Sequence, residues 1–403
     1  MTTNNNQHAR IPQATSDQLI QLSVLAQSIH RFMVVVGPAG CGKTAIATGP
    51  VIDALGIRDV RVWNFTGALP SDMRGVALPA QDGSRHLMQF APELLPLREE
   101  VGGDPYVVVL DEFTDWDSCN QSLVQGLFAE TPRIGVHELG GNGFFIFTGN
   151  RRGDGTKSAV LPAPTTNRGL VVQMKPDMSS WLRGAAVGFD SSVLPDLPKV
   201  GDVKGRRAVA NSPVFAFLGF HERDANASEE ILHPTLPTPW DGSPHPTERS
   251  WETAALLTAP NEDGTPCELV SNADHSDLLL LALQSTLGIE MAGKVFAFVR
   301  TVADILPVVK DIRSGMTVMP ADPMKQYAVL HTATRILRKE SGDTDQDRSA
   351  SIAGGGADWF TDLFLEASEP EMARWAANLA VSLGIPMAEH PKGKQLLGLG
   401  LGM

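Results

Sequence analysis

Eight consecutive residues, Gly37-Pro38-Ala39-Gly40-Cys41-Gly42-Lys43-Thr44, constrain this chain more than any other stretch. They fill the pattern G-x-x-x-x-G-K-[ST] completely, and they stand in the setting that gives that pattern physical meaning. Phe32-Met33-Val34-Val35-Val36 comes before them, an apolar run that reads as a strand buried on both faces of a parallel sheet. Ala45, Ile46, Ala47, Val51 and Ile52 come after, an apolar segment that reads as a helix. Strand, small-residue turn and helix, in that order, wrap backbone N–H groups around a phosphate-sized cradle. Gly37, Gly40 and Gly42 keep side chains out of the way of approaching oxygens. The N–H groups from Gly40 to Ala45 converge there, and the helix adds its positive end. Lys43 places a point charge on β- and γ-phosphate oxygens, and Thr44 offers a hydroxyl to Mg²⁺. The expected cradle is Gly37 through Ala45, and the expected ligands are ATP and Mg²⁺. Cys41 serves within it as a small side chain.

Two further strands end in chemistry. Val107-Val108-Val109-Leu110 runs into Asp111 and Glu112. Asp111, at the carboxyl edge of the strand, is placed to hold the Mg²⁺ shell, and Glu112 to polarise an attacking water as general base. Phe144-Phe145-Ile146-Phe147 runs into Thr148, Gly149 and Asn150. Asn150, in series with the acids, is placed to orient that water.

Shorter apolar runs at Val60–Val62 and Leu170–Gln173 complete a set of strands alternating with helix-length segments. That alternation predicts an α/β fold, a parallel sheet with helices on both faces and right-handed crossovers. Residues 1–15 read as a loose leader. Thr15 or Ser16 caps a helix running to about His30. Residues 190–250 are rich in Pro, Gly and charge, with one apolar segment at Val214–Phe220. Helical patterns follow at Ser276–Leu287, Glu290–Ala303, Met324–Arg338 and Trp359–Leu383, with a polar gap at Ser341–Gly356 and an alternating Leu/Gly tail from Leu396 to Met403.

Composition excludes several classes. Lys plus Arg number 33 against 46 Asp plus Glu, a net charge of −13, which argues against a protein that coats nucleic acid. The basic run Lys199, Lys204, Arg206, Arg207 is broken by Asp202 and reads as a solvated loop. Three cysteines (Cys41, Cys119, Cys267) without a CxxC pair exclude a disulfide framework and a cysteine-rich zinc site, and they suit a reducing compartment. The ten histidines lack HExxH spacing. No apolar run approaches the ~18 residues of a membrane span, and the polar start has no secretory core. A cytoplasmic chain is expected, with no membrane partner.

In order as well as motif, these residues resemble the AAA+ ATPases, and within them the MoxR-like branch of the dynein-related subfamily. Trp63-Asn64 through Ser71-Asp72-Met73-Arg74-Gly75 is similar to the stretch before that branch's helix-2 insert, and Phe90-Ala91-Pro92 with Leu94-Leu95-Pro96 to the approach to its acidic strand. Arg133 to Gly143 resembles the hairpin before the sensor asparagine. Thr166-Asn167-Arg168-Gly169 stands where the family carries its finger motif, with Gly169 replacing an aromatic. Thr247-Glu248-Arg249-Ser250-Trp251-Glu252 resembles the lid motif Pro-Arg-Ser-Trp-Glu, with Glu248 replacing Pro.

The resemblance implies a P-loop core over residues 1–190 with a helix-2 insert (about Gly67–Phe90). A linker and all-α lid over 191–310 and a helical extension over 311–403 follow. It implies a homo-oligomeric ring, a hexamer by family habit, with nucleotide between subunits. Arg168 is then the finger that completes a neighbour's site, with Arg151 and Arg152 as runners-up. Arg249 is sensor 2, in its own site or a neighbour's. It also implies ATP-driven remodelling of a client protein, of which a von Willebrand factor A domain protein is the family's common partner. Both insert and hairpin lack an aromatic-Gly pore loop, which favours remodelling over threading. Two other uses of such a core stay open: a nucleic-acid motor or loader, and a non-catalytic switch that assembles on ATP.

Overall fold

Apolar runs five to eight residues long, free of charge, can satisfy both faces only inside a layered sheet. In the computed structural model of the chain, they do so. The structure describes residues 11–79, 87–151, 158–187, 194–201, 203, 209, 211–221, 230–262, 265–313, 319–340 and 359. By contacts it divides into two units. One comprises Met1–Pro198, Leu236–Thr253 and Gln284–Ile289; the other comprises Lys199–Thr235, Ala254–Leu283 and Glu290–Met403.

Among the described residues the first unit holds ten strands: β1 (Gln13–Ala14), β2 (Phe32–Gly37), β3 (Asp59–Trp63), β4 (Val76–Pro79), β5 (Leu87–Phe90), β6 (Tyr106–Leu110), β7 (Arg133–Ile134), β8 (His137–Glu138), β9 (Gly143–Asn150) and β10 (Gly169–Met174). Six make one sheet in the order β1-β10-β2-β9-β6-β3, parallel throughout. With helices on its flanks, this is the α/β fold that the alternation of strand and helix segments predicts. Register pairs Gly37 with Asn150 and Leu110 with Phe147, so the ends of β2, β9 and β6 lie side by side. The opposite edge of the sheet gathers their first residues, Phe32, Gly143 and Tyr106, together with Gly169 of β10.

One expectation fails at the start of the chain. Gln13 and Ala14 belong to no loose leader; they form β1 beside β10. Gln173 N–H donates to Pro12 O (2.8 Å) and Lys175 N–H to Ala14 O (2.8 Å). Without that short strand the edge of β10 would lack partners for its polar groups. Residues 1–10 lie outside the described residues. Helix α1 (Ser16–Ser28) follows, capped as expected. Gln18 N–H donates to Thr15 Oγ1, and Gln18 Oε1 accepts from Thr15 N–H, a capping box. It stops two residues short of His30, which turns with a φ of 53°. Leu19, Leu22 and Leu25 bury its inner face.

The other side of the sheet is filled by aromatics. Phe147 meets Phe113 edge-on at 4.9 Å between ring centres, Phe113 meets Trp116 at 5.4 Å, and Phe32 stacks on Phe128 at 4.5 Å. These contacts pin the segment Phe113–Asp115, which directly follows the two acids beyond the end of β6. Two small antiparallel hairpins stand apart from the sheet: β4–β5, within the expected insert, and β7–β8, within the expected pre-sensor hairpin.

The second unit contains the helix Pro213–His221, the helix Ile289–Arg313 from its second residue onward, and the helix Pro323–Glu340. The apolar stripe of the second continues through Val302, Ile305 and Val309, which carries it past the expected end at Ala303. Phe217 packs edge-on against Phe298. Lys204, Arg206, Arg207, the residues of Trp359–Leu383 after Trp359, and the Leu/Gly tail lie outside the described residues. Among the described residues no helix is long and apolar enough to cross a membrane.

Candidate functional site

The carboxyl ends of parallel strands are where an open α/β sheet leaves a crevice. Here β2, β9 and β6 end around a cavity of about 300 Å³, lined among others by Gly40, Lys43, Thr44, Asp111, Glu112 and Asn150. After β2 the chain turns through Gly40 and Gly42, at φ 74° and 91°, in the left-handed region that L side chains rarely adopt. Helix α2 (Lys43–Thr48) then begins, with Lys43 buried. Cys41 is half-buried, with its sulfur 3.7 Å from that of Met174.

Lys43 Nζ donates to Gly37 O (3.0 Å), Pro38 O (2.9 Å) and Asn150 Oδ1 (3.1 Å). All three acceptors are neutral, so the ammonium is solvated but its charge is not cancelled by a bonded carboxylate. Asp111 Oδ1 accepts from the hydroxyls of Thr44 and Thr148, each at 2.6 Å. Glu112 is exposed at φ 54°, an uncommon conformation for a residue other than glycine, and costs of order 1–3 kcal/mol. The turn is held from behind, because Trp116 Nε1 donates to Asp111 O (2.9 Å). Glu112 Oε2 accepts from Asn64 Nδ2 (3.2 Å), the residue directly after β3.

Asn150 is fixed from three sides. Its N–H donates to Thr114 Oγ1 (2.9 Å), and its Nδ2 donates to Asp115 Oδ2 (3.0 Å), which turns Oδ1 toward Lys43. Asp115 in turn accepts from Ser158 Oγ (2.6 Å). Gly149 is required for this approach, since a Cβ there would lie 2.5 Å from the Thr114 side chain. Thr148, Thr114, Asp115 and Asn64 thus join the residues named from sequence. A polar residue closing an apolar run was the sequence signal at Thr148 and Asn64; Thr114 and Asp115 carried none.

Arg168 and Arg249 lie elsewhere. Arg168 precedes β10, at the opposite edge of the sheet from the cradle, and Arg249 stands in the first turn of the helix Glu248–Leu257. Both line a second cavity, of about 410 Å³, with Arg31, Phe32 and Phe128 among its other walls. The Arg168 guanidinium sits 5.0 Å above the Phe128 ring, and its buried Nε has no hydrogen-bond partner among the described residues. Burial, and then the positive Arg249, lower the pKa of Arg168 from the ordinary arginine value. Arg151 follows Asn150 at the end of β9, and Arg152 lies outside the described residues.

A comparison with protein-family models finds no match, and a comparison with curated proteins finds none either. Solved structures similar to this chain include a Cytophaga hutchinsonii protein provisionally described as an ATPase, at 15% identity and a TM-score of 0.34, covering 59% of this chain and 76% of that one. They also include single-substitution variants of Thermotoga maritima RuvB. One is 14% identical with a TM-score of 0.25, over 95% of this chain and 87% of that one. Another is 14% identical with a TM-score of 0.27, over 95% and 86%. With every TM-score below 0.5, these likenesses carry no functional argument; the geometry of the chain's own residues carries it.

Proposed function

We propose that this chain is a Mg²⁺-dependent ATPase of the MoxR-like AAA+ kind, acting between copies of itself. The observation that carries the reading is the convergence of Lys43, Thr44, Asp111, Glu112 and Asn150 on one cavity, with Arg168 and Arg249 paired at the far edge of the same sheet.

The donor set fits the groups required. Thr44 and Asp111 offer hard oxygen atoms 2.6 Å apart, suited to the water-rich shell of Mg²⁺. Bound there, the ion would neutralise charge on the β- and γ-phosphate oxygens. Lys43, bonded to neutral acceptors only, keeps its charge for an anion. The Glu112 carboxylate takes a proton from water as the water oxygen bonds to the γ-phosphorus and the bond from that phosphorus to the β,γ-bridging oxygen breaks, so that ADP and phosphate leave. Asn64 steadies that carboxylate, and Asn150 holds Lys43.

Arg168 and Arg249 are remote from their own cradle, which supports action on the nucleotide of a second copy. Charge spreading over the γ-phosphoryl oxygens is what such a guanidinium stabilises, by up to ~10³–10⁵ in rate. The test is a mixing experiment. Arg168→Ala and Glu112→Gln should each bind ATP and barely turn it over. Mixed, they should regain activity, because an Arg168→Ala copy has an intact cradle and a Glu112→Gln copy an intact finger. Failure of the mixture to exceed the sum of its parts, with both variants assembled, would place the arginine in its own site.

Assembly into a closed ring and work on a client protein belong to the same reading. Val76, Leu78, Phe90 and Val136, all exposed on or beside the two hairpins, give it an apolar surface for a client. The von Willebrand factor A partner rests on the resemblance alone.

Asp115 provides a further check within the cradle. Asp115→Ala frees the Asn150 amide to rotate, and a misplaced positioning group costs roughly ten- to a hundredfold in turnover. Phosphate release should fall by that factor while ATP affinity changes little. Unchanged release would mean that Asp115 does not set the amide.

A further inference from the structure

The second cavity holds a third arginine that the sequence did not mark. Arg31 is the last residue before β2, and its side chain is mostly buried, at 22% exposure. Nη2 donates to Glu252 Oε2 (2.9 Å) and Nε to Thr253 Oγ1 (3.0 Å). The Thr253 hydroxyl then donates to the carbonyl of Arg249 (2.9 Å). One planar fork therefore grips two successive residues of the helix Glu248–Leu257, and one of them reaches back to the backbone of Arg249.

The arrangement has an electrostatic cost that needs a reason. Arg31, Arg168 and Arg249 line the same cavity, where Glu252 and Glu130 are the acids. Burial is the main cause that lowers the pKa of Arg31; Glu252 opposes it and Arg249 adds to it. Arg168 feels Arg249 in the same way. Like charges gathered in a partly dry cavity are disfavoured unless an anion completes the set. Phe128 offsets part of the cost at Arg168, and Glu252 part of it at Arg31. Nothing comparable is bonded to the Arg249 guanidinium among the described residues.

We propose that Arg31 is a positioning residue, which through Glu252 and Thr253 fixes the helix turn that presents Arg249 beside Arg168 to a triphosphate held by a second copy of this chain. This rests on the reading above. It adds a residue whose effect passes through Arg249, and whose own fork is occupied by Glu252 and Thr253. The sheet supplies the anchor: Arg31 is continuous with β2, so Arg249 is referenced to the same strand that carries the cradle at its other end.

Three variants test it: Arg31→Gln, Glu252→Gln, and the exchange Arg31→Glu with Glu252→Arg. Affinity for a fluorescent ATP analogue is measured on dilute protein, and maximal phosphate release on concentrated protein. Both single variants should keep affinity within about twofold, and should lose at least about tenfold in maximal turnover. The exchange should recover part of the loss, because it restores the ion pair at position 252 but not the bond to Thr253. The readout that a purely structural contact would not give is affinity held while maximal turnover falls. Turnover within twofold of the parent in Arg31→Gln overturns the proposal. So does a loss of analogue affinity equal to the loss of turnover with no recovery in the exchange. Glu252 is half exposed, so Glu252→Gln reports even where an Arg31 variant folds poorly. If Lys43→Ala keeps turnover, the cradle is not the site of hydrolysis, and everything built on it fails. If Lys43→Ala is dead and Arg31→Gln is normal, only the role of Arg31 fails.

Discussion

Lys43→Ala should abolish ATP binding at concentrations the parent chain saturates. The ammonium is buried and held by three neutral oxygens that leave its charge unspent. A hydrogen bond to a charged group contributes about 1.5–3 kcal/mol, and Lys43 is placed to reach oxygens of two phosphates. Removing it also strips the donor from Gly37 O and Pro38 O, whose negative ends then face the incoming anion. Together these set a loss of about 10²-fold or more in affinity, since each 1.4 kcal/mol is tenfold. Equilibrium dialysis with labelled ATP measures it. Affinity within a few-fold of the parent refutes the cradle, because among the described residues no other cation lines that cavity.

Glu112→Gln should separate binding from chemistry. The amide keeps the size of the carboxylate and can still pair with Asn64, but it cannot take a proton from water. General-base catalysis contributes roughly 10²–10⁴-fold, and turnover should fall within that range. Affinity for ATP should hold or rise, because one negative charge near the phosphates is gone. Phosphate release and dialysis on the same preparation read both. Parent-like release from this variant would remove Glu112 from the reaction and leave Asp111, whose Oδ1 is already engaged by two hydroxyls, as a poor substitute.

Legibility followed periodicity. β2, β6, β9 and β10 could be read because a strand buried on both faces must be apolar at every position. β1 could not: two residues, Gln13 and Ala14, carry no pattern, and they are ordered by the open edge of β10. Within the cradle, Gly37 to Thr44, Asp111, Glu112 and Asn150 could be named because each ends a strand or fills a known spacing. Thr148 and Asp115 could not, since their partners come from cross-strand register and from a tight turn, neither of which sequence specifies. Arg31 was hidden for the same reason: Glu252 stands 221 positions away. Arg249 was named but not placed. Arg168 was named likewise, and that the two share one cavity became visible only once β10 and the helix Glu248–Leu257 had brought them together.

The uniform direction of the sheet has a consequence for counting. Cradle and arginine pair occupy opposite edges, so on this reading a copy is directional, like a plug with its socket at the back. Two copies related by a twofold axis present like ends to each other and serve no site fully. Copies placed head to tail serve one site at every junction, and an open row always strands one empty socket and one idle plug. Closure strands neither, so specific activity per chain should climb with concentration and then level off once rows have joined their own ends.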